Sequence, residues 1–455
     1  MRISRTPFKN LGWLMFVVLT LLGWSIASGA EPPADRGLAE ARKAFVNGEY
    51  ERTLELVEPL IQAQTSLSQV RRLKLLSLVR LGKTQEGLAE YERLSKELGR
   101  ENEEILREMA IHIILPVRTD MRDQFRGAAY TALKEIHSDE IVPYFEDGLS
   151  DGTGMIRALV AEGLGRLPAG PRSKRFQEAL QDRAGLVRVA VLKGLGRSGN
   201  KALIPLITPL LHDEQKVVQV AAAGALFMLG RTEYWDRIQK ATEVQEGYER
   251  GSALRLLGDL GDPRAIPLLA RGLRDRQPSI RAAAAASLGK LNLPESVSAL
   301  LPVLSERMPA VRSVAAVSLG KLKAEEAISP LTEALQDPNP GVRAAAVAGL
   351  LRLNSPYRVV ASTVRELVQS KNPGLRSSAA KALSNGRSRD VVGALTLLLH
   401  DPTPRPRITA ARSLGRVGGR DVIPQLKQAL RDSNEAVRAT AAGAIARILS
   451  QIPEA

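Results

Sequence analysis

The side chains that most often carry catalysis are scarce in this chain. Among its 455 residues there are four histidines and no cysteine, which excludes disulfides, thiol nucleophiles, thiolate metal sites and cysteine-linked lipid anchors. The histidines are His112, His137, His212 and His400. No two of them stand at the helical spacing of a shared metal site, and the sequence has no phosphate-binding, dinucleotide-binding or nucleophile-elbow motif. The sequence therefore predicts a protein that is not an enzyme and that holds no cofactor or metal.

Arginine and aspartate, in contrast, recur at a fixed period. Arginine, in most units after an apolar residue, appears every 31 residues from Arg126 onward, with one 33-residue gap between Arg343 and Arg376 and a glutamine, Gln219, in the fourth unit. Aspartate precedes this position by six residues in eight of the eleven units. A short acid that ends one helix and an arginine that begins the next can cap helix ends and join neighbouring units. The candidate structural ladder comprises Asp120, Arg126, Asp151, Arg157, Asp182, Arg188, Asp275, Arg281, Arg312, Asp337, Arg343, Arg376, Asp401, Arg407, Asp432 and Arg438.

The residues around each arginine indicate which element positions it. With the arginine as position 0, apolar or small residues stand at −1, +3 and +7, except for Glu249 at −1 in the fifth unit, with leucine at +7 in ten units and Ile445 in the eleventh. This spacing traces one stripe of an amphipathic helix, and a second apolar run follows each such helix. A fixed period of roughly 20–50 residues is typical of stacked helical or strand units. We therefore expect an all-α, right-handed α-solenoid of about eleven helical hairpins that curves over about 100 Å, with Leu-Gly pairs such as Leu288-Gly289 ending helices.

The repeated string is similar to that of a known family. The pattern Leu-x-Asp-x-x-x-x-Val-Arg-x-x-Ala-x-x-x-Leu, as in residues 335–350, resembles the short HEAT repeat of the phycobilisome-lyase type. The resemblance covers residues 101–455 and implies that the Asp and Arg positions form a ladder along the stack. It implies little about function, because the same array occurs in lyases, hydroxylases and many scaffolds.

Residues 31–100 follow a different pattern. Gly48 and Gly82 lie 34 residues apart, each in a short polar turn after an apolar run, and Tyr91 and Leu94 follow the second turn. This spacing resembles two degenerate tetratricopeptide-type hairpins. The resemblance implies a helical region that caps the first surface of the array.

Residues 1–30 are typical of a secretory signal. Three basic residues precede a nearly continuous apolar run over 11–26, and small residues end at Ala30, where we expect cleavage. An uncleaved N-terminal membrane anchor is the alternative, since a run of 16 residues approaches the shortest membrane span. We expect export, most simply to a bacterial periplasm.

A second column of basic residues stands at +9. The formal net charge of the chain is +15, and seven units carry Lys or Arg nine residues after the ladder position. These residues are Arg166, Arg197, Lys290, Lys321, Arg352, Arg416 and Arg447. One interpretation is that cations near helix C-termini complement the helix macrodipole. The other is that they form a stripe that binds an anionic partner.

The fourth and fifth units interrupt the pattern. Gln219 replaces the arginine and Val244 replaces the aspartate, in a stretch that also holds Tyr234, Trp235 and Tyr248. Tyrosine and tryptophan are frequent anchors of binding surfaces, so these aromatic residues are candidate partner-binding residues. The alternative is that they fill core volume that small residues leave empty.

These features favour an exported, non-catalytic scaffold or adaptor that binds another protein. If the second helix of each hairpin lines a concave groove, Lys290, Lys321 and Arg352 border a floor of small residues that suits an acidic segment or an amphipathic helix. Two alternatives are an accessory protein or lyase that handles a prosthetic group, and a binder of polyanions at the cell envelope. A membrane surface is a less favoured partner. Nucleic acid is not expected, because export removes its usual targets and interleaved stacking aromatics are missing.

Overall fold

The structure, a computed structural model, describes residues 33–64 and 67–450. Every regular element among these residues is a helix, which confirms the predicted all-α class. Contacts divide the chain into two units between Thr119 and Asp120. The predicted signal over residues 1–30 lies outside the described residues. Within the described part of the chain, no helix has the length and apolar character needed to cross a membrane.

The first unit contains five described helices. They are α1 (Pro33–Val46), α2 (Tyr50–Gln62), α3 (Leu67–Arg80), α4 (Thr84–Glu97) and α5 (Glu103–Val117). Helices α1 and α2 pack as one hairpin, α3 and α4 pack as another, and α5 packs on α3. Because α5 belongs to this unit, the division falls later than the boundary expected after residue 100.

Glycine forms the turn of both hairpins. Gly48 and Gly82 have φ angles of 81° and 77°, in the left-handed region that glycine adopts without steric cost. The core of the first hairpin includes Ala41 and Val57, which are fully buried. Two helical hairpins thus occupy the region that resembles tetratricopeptide repeats, and the assignment to that family stays a prediction.

The second unit alternates between two sets of helices. Helices that contain or directly follow the ladder positions are here called second helices and define repeats 1 to 11: α6 (Asp123–Leu133), α8 (Gly154–Leu164), α10 (Gly185–Arg197), α12 (Lys216–Met228), α14 (Gly247–Leu260), α16 (Pro278–Leu291), α18 (Pro309–Lys321), α20 (Pro340–Arg352), α22 (Pro373–Leu383), α24 (Pro404–Val417) and α26 (Glu435–Ser450). The first helices between them are α7 (Val142–Gly148), α9 (Lys174–Glu178), α11 (Ile204–Ile207), α13 (Trp235–Ala241), α15 (Ala265–Gly272), α17 (Ser296–Leu300), α19 (Ile328–Glu333), α21 (Tyr357–Val368), α23 (Arg389–Leu398) and α25 (Ile423–Ala429). Short 3₁₀ segments adjoin many first helices, at Asp139–Ile141, Gly170–Arg172, Ala179–Gln181, Lys201–Leu203, Thr208–His212, Thr232–Tyr234, Leu301–Ser305, Glu325–Ala327, Ala334–Gln336 and Arg420–Val422.

Each second helix begins where a polar turn ends and an apolar stripe starts. Before α8, the carboxylate of Asp151 accepts a hydrogen bond from the backbone N–H of Thr153 at 2.8 Å, which fixes the turn. In α10, Val187, Val191 and Leu195 at −1, +3 and +7 are fully buried. Each such side chain stabilises the fold by about 1.5–3 kcal/mol relative to exposure. The predicted stripe is therefore the surface that packs into the core.

Glycines inside the second helices allow these helices to touch. A methyl group at Gly320 of α18 would lie 2.7 Å from the Cα of Gly349 in α20, and one at Gly289 would lie 2.4 Å from the Cβ of Ser318. The expectation that Leu-Gly pairs end helices is wrong for Leu288-Gly289, which lies within α16. The glycine instead removes a side chain that would separate neighbouring helices.

The second helices contact one another in a closed circuit. Each packs on the next from α6 to α26, and α26 packs on α6. At this closing contact, called the junction below, a methyl group at Gly443 would lie 2.8 Å from the carbonyl oxygen of Ala132. The predicted solenoid is confirmed, but its path closes on itself. With neighbouring axes roughly 8–10 Å apart, eleven helices form a ring about 30 Å across between axes.

Candidate partner-binding surface

Arginine and aspartate of successive repeats bind each other where the second helices begin. Arg157 donates from Nε and Nη2 to the carboxylate of Asp182 in the next repeat, at 2.6 and 2.8 Å. Its Nη1 donates to the backbone carbonyl of Asp151 at 2.8 Å, so one guanidinium joins two repeats. Equivalent carboxylate pairs are Arg126–Asp151, Arg188–Asp213, Arg250–Asp275, Arg312–Asp337, Arg376–Asp401 and Arg407–Asp432.

Three repeats replace the ladder aspartate, and in repeat 5 the replacement is Val244. Arg281 pairs with Glu306 at 2.8 Å, so a glutamate that sequence analysis overlooked stands at the acid position of repeat 7. The acid position of repeat 9 is Ser370, and Arg343 pairs instead with the exposed Glu366. The Nε of Arg343 has no hydrogen-bond partner. Arg343 therefore has no ladder bond to the acid position of repeat 9.

The irregular fourth repeat keeps part of the ladder geometry. Gln219 donates to the backbone carbonyl of Asp213 at 2.7 Å and accepts a hydrogen bond from Arg237 at 3.0 Å. The Gln219 amide therefore makes the same contact within its own repeat that the ladder arginines make, and it binds Arg237 instead of a carboxylate.

At the junction, the ladder pattern gives way to a local cluster. Arg438 donates to the backbone carbonyl of Asp432 at 2.9 Å. Asp120 pairs with Arg122 at 2.8 Å, and Arg122 lies 3.7 Å from Glu435 of α26. The hydrogen bond from Arg122 holds the pKa of Asp120 well below its usual range.

The +9 column lines the inner face of the ring. Lys193 of α10 reaches Asp259 of α14 at 2.8 Å, past the intervening α12. Arg416 of α24 reaches Glu135, directly after α6, at 2.5 Å and past α26. Side chains two helices apart meet most readily where the helices converge, on the concave side.

Glu135 binds arginines of two other repeats across the junction. It accepts hydrogen bonds from Arg416 of repeat 10 at 2.5 and 3.2 Å and from Arg447 of repeat 11 at 3.3 Å. Burial would raise the pKa of Glu135, but the hydrogen bond from Arg416 and the charges of Arg416, Arg447 and Arg412 hold it below its usual value. This carboxylate neutralises the cations of repeats 10 and 11.

Asp259 likewise neutralises cations of repeats 3 and 6. It forms ion pairs with Lys193, with Arg197 at 2.5 Å and with Lys290. Burial would raise the pKa of Asp259, but these cations lower it. At Lys290, burial outweighs the ion pair and lowers the pKa of the amine. Lys290, a predicted binding residue, is thus already paired within the chain.

Three successive second helices carry inner-face cations that have no such carboxylate among the described residues. Lys321, Arg352 and Lys381, called the inner cation arc, are exposed on α18, α20 and α22, and no described carboxylate pairs with them. Arg352 donates to the side-chain carbonyl of Asn385 at 3.1 Å. Burial of Lys321 and the charges of Arg352, Lys290 and Lys381 lower the pKa of its amine. The inner face of repeats 7 to 9 therefore carries unbalanced positive charge.

The small residues expected to form a groove floor are partly packed away. Four of them, Ala283, Ala344, Ala345 and Ala348, are buried against neighbouring helices. Val317 and Ala286 are half-buried. The apolar surface beside the inner cation arc is thus narrower than expected.

The aromatic residues of repeats 4 and 5 do not form one surface. Trp235 is only 7% exposed, because its ring packs on Phe227 at 5.7 Å and the guanidinium of Arg264 covers it at 4.2 Å. Tyr248, 71% exposed, begins α14 at the other end of the hairpin, and Tyr234 is half-buried. Trp235 fills core volume and is unsuited to anchor a partner.

The histidines are dispersed in the structure. His137, His212 and His400 are exposed, whereas His112 is half-buried and stacks on Phe45 with ring centroids 5.9 Å apart. Burial, with Arg80 and Arg72 nearby, lowers the pKa of His112 to about 3. The described residues contain no group of three acids or histidines placed to hold a metal ion.

Several solved structures are similar to this chain. Human deoxyhypusine hydroxylase in complex with glycerol is 19% identical over 55% of this chain and 98% of its own, with a TM-score of 0.31. The complex of CpcE and CpcF of phycocyanin lyase from Nostoc sp. PCC7120 is 21% identical over 52% and 91%, with a TM-score of 0.36. An engineered protein is 17% identical over 74% and 98%, with a TM-score of 0.29. A comparison with curated proteins found no match.

The family comparison identifies the repeats themselves. Residues 236–307, 297–384 and 391–455 match HEAT repeats. The matched segments contain the same hairpins, arginine–acid pairs and glycine contacts that extend back through the second unit. By this match, these segments of the chain consist of HEAT repeats.

Proposed function

We propose that this chain is an exported, non-catalytic scaffold that binds another protein on the inner face of its ring of HEAT repeats. The observation that carries the proposal is the inner cation arc, where exposed cations of three successive second helices have no carboxylate partner among the described residues. Repeat arrays commonly use their concave surfaces for binding. A surface shared among several helices suits a macromolecular partner, since protein interfaces bury on the order of 800 Å² on each side.

Position-specific crosslinking tests the binding face. A photoreactive residue would replace Val317, half-buried on the inner face beside Lys321, or Leu397, 70% exposed on the first helix α23. In the cells that produce the protein, we expect protein adducts at position 317 and none at 397. Adducts at 397 alone would place the partner on the outer helices and refute the proposal.

Export is tested separately on the purified protein. Removal of a secretory signal after Ala30 gives a chain that begins at Glu31. N-terminal sequencing of protein from the periplasmic fraction should read this residue. A full-length chain in the membrane fraction would favour the alternative of an uncleaved anchor.

A further inference from the structure

The inner face divides into balanced and unbalanced segments. Asp259 and Glu135 neutralise cations of repeats 3, 6, 10 and 11, and Glu162 pairs with Lys134 at 3.2 Å and Arg166 at 2.5 Å in repeats 1 and 2. In contrast, the five consecutive second helices α16, α18, α20, α22 and α24 contain no acidic residue. The inner cation arc lies in the middle of this acid-free stretch.

The charges of the arc repel one another. The cations that act on Lys321 come from the preceding repeat, Lys290, and from the two following repeats, Arg352 and Lys381. Like charges held together on rigid helices raise the free energy of the empty surface, and an anionic ligand relieves this repulsion. The balanced segments would gain less from such a ligand, because it would compete with their own carboxylates.

We infer that an acidic peptide segment of the partner protein binds across Lys321, Arg352 and Lys381, an inference that rests on the proposed function. Neighbouring second helices lie roughly 8–10 Å apart. Carboxylates seven residues apart on a helix are about 10 Å apart, at 1.5 Å per residue. One acidic segment can therefore meet one cation on each of three successive helices.

Two features favour a peptide over other polyanions. Val317 and Ala286 offer half-buried apolar surface beside the cations, which aliphatic side chains of a peptide can cover. Single-stranded nucleic acids bind largely by stacking on aromatic side chains, and α16, α18, α20 and α22 contain none. The arc thus combines positive charge with aliphatic surface.

The test uses the full chain and a fluorescent peptide of four Glu-Glu-Leu-Leu repeats, with a Gln-Gln-Leu-Leu peptide of equal length and a heparin oligosaccharide for comparison. One variant carries Lys321→Gln, Arg352→Gln and Lys381→Gln. The matched control carries Arg358→Gln, Arg365→Gln and Lys371→Gln, exposed cations on α21 and the loop after it. The melting temperature of each variant verifies that the fold is retained.

We expect the acidic peptide to bind the unaltered chain and the arc variant to bind it at least about tenfold more weakly, with the control unchanged. Equal weakening in both variants would show a response to net charge alone and overturn the inference. Tighter, arc-dependent binding of heparin would also overturn it, in favour of a glycan. If position 317 crosslinks to a partner while the acidic peptide fails to bind, the inference falls and the proposed function stands. Crosslinks at 397 alone would refute both.

Discussion

Arg416 of repeat 10 donates two hydrogen bonds to Glu135 of repeat 1, at 2.5 and 3.2 Å, and so links the end of the array to its beginning. We predict that Glu135→Gln lowers the free energy of unfolding by about 1–3 kcal/mol, because Arg416 and Arg447 lose their shared carboxylate. Solution scattering should show a larger radius of gyration as the junction opens. Glu162→Gln, which removes a more exposed acid, should cost less than about 1 kcal/mol and leave the radius unchanged.

The junction should also respond to acid. The pKa of Glu135 lies below its ordinary value of 4.5 in the folded chain. Its contribution to stability is therefore complete above pH 4.5 and is lost as the pH falls through the lowered folded pKa. In solution scattering, the radius of gyration of the unaltered chain should increase as the pH falls from 6 to 3, because the junction opens. Glu135→Gln should already have the larger radius at pH 6. An identical pH response of the two proteins would contradict this prediction.

Repeat 9 offers a place to strengthen the ladder. Ser370 occupies the acid position, where its hydroxyl accepts from the backbone N–H of Asn372 at 3.2 Å, as the ladder aspartates accept from their own turns. We predict that Ser370→Asp raises the free energy of unfolding by about 1 kcal/mol, since Arg343 gains a carboxylate. Denaturant unfolding measures the change. Ser370→Asn keeps the turn without the charge and should gain less; an equal gain would argue against the ion pair.

Glycine substitutions separate close helix packing from helix propensity. A methyl group at Gly320 would meet the backbone of Gly349, whereas one at Gly393 of α23 would meet nothing within 4 Å. We predict that Gly320→Ala destabilises the fold by about 1–3 kcal/mol and that Gly393→Ala stabilises it by about 0.5–1 kcal/mol. Thermal unfolding compares them. If Gly320→Ala instead stabilised the fold, α18 and α20 could move apart without a loss of stability.

His112 makes the first unit sensitive to pH. Its pKa is lowered from 6.5 to about 3 by burial and by Arg80 and Arg72. Below pH 6.5 the unfolded chain binds a proton that the folded chain excludes, so stability falls as the pH drops from 6.5 toward 3. We predict that His112→Leu removes this component, measured as hydrogen exchange of residues 36–117 at several pH values. His137→Leu, at an exposed site, should leave the pH dependence intact.

The local architecture of the repeats could be predicted from the sequence, but the closure of the ring could not. Positions such as Val187, Val191 and Leu195 repeat in phase, and each repeat encounters the same neighbours, so their burial could be predicted. Closure depends on a small rotation at every repeat, which accumulates over the array and has no motif of its own. Two signals were present nonetheless, because Glu135 and Asp259 stand in a column that is otherwise mostly basic.

The aromatic residues show a second limit of prediction from the sequence. Trp235 and Tyr248 are of types that serve equally in cores and in binding surfaces. Only the position of Arg264 over the ring of Trp235 shows that this residue is covered. In the same way, the partner of Lys290 lies one repeat away in Asp259, so sequence alone left it among the unpaired cations.

The contact between α26 and α6 changes how the array comes apart. A terminal repeat of an open stack has a single neighbour and frays first. In the ring every second helix has two neighbours, so a protease that attacks transiently opened segments meets no weaker terminal repeat. Rupture of one interface creates two such ends at once, from which the remaining repeats can unravel. The ring therefore favours an abrupt loss of structure over gradual fraying.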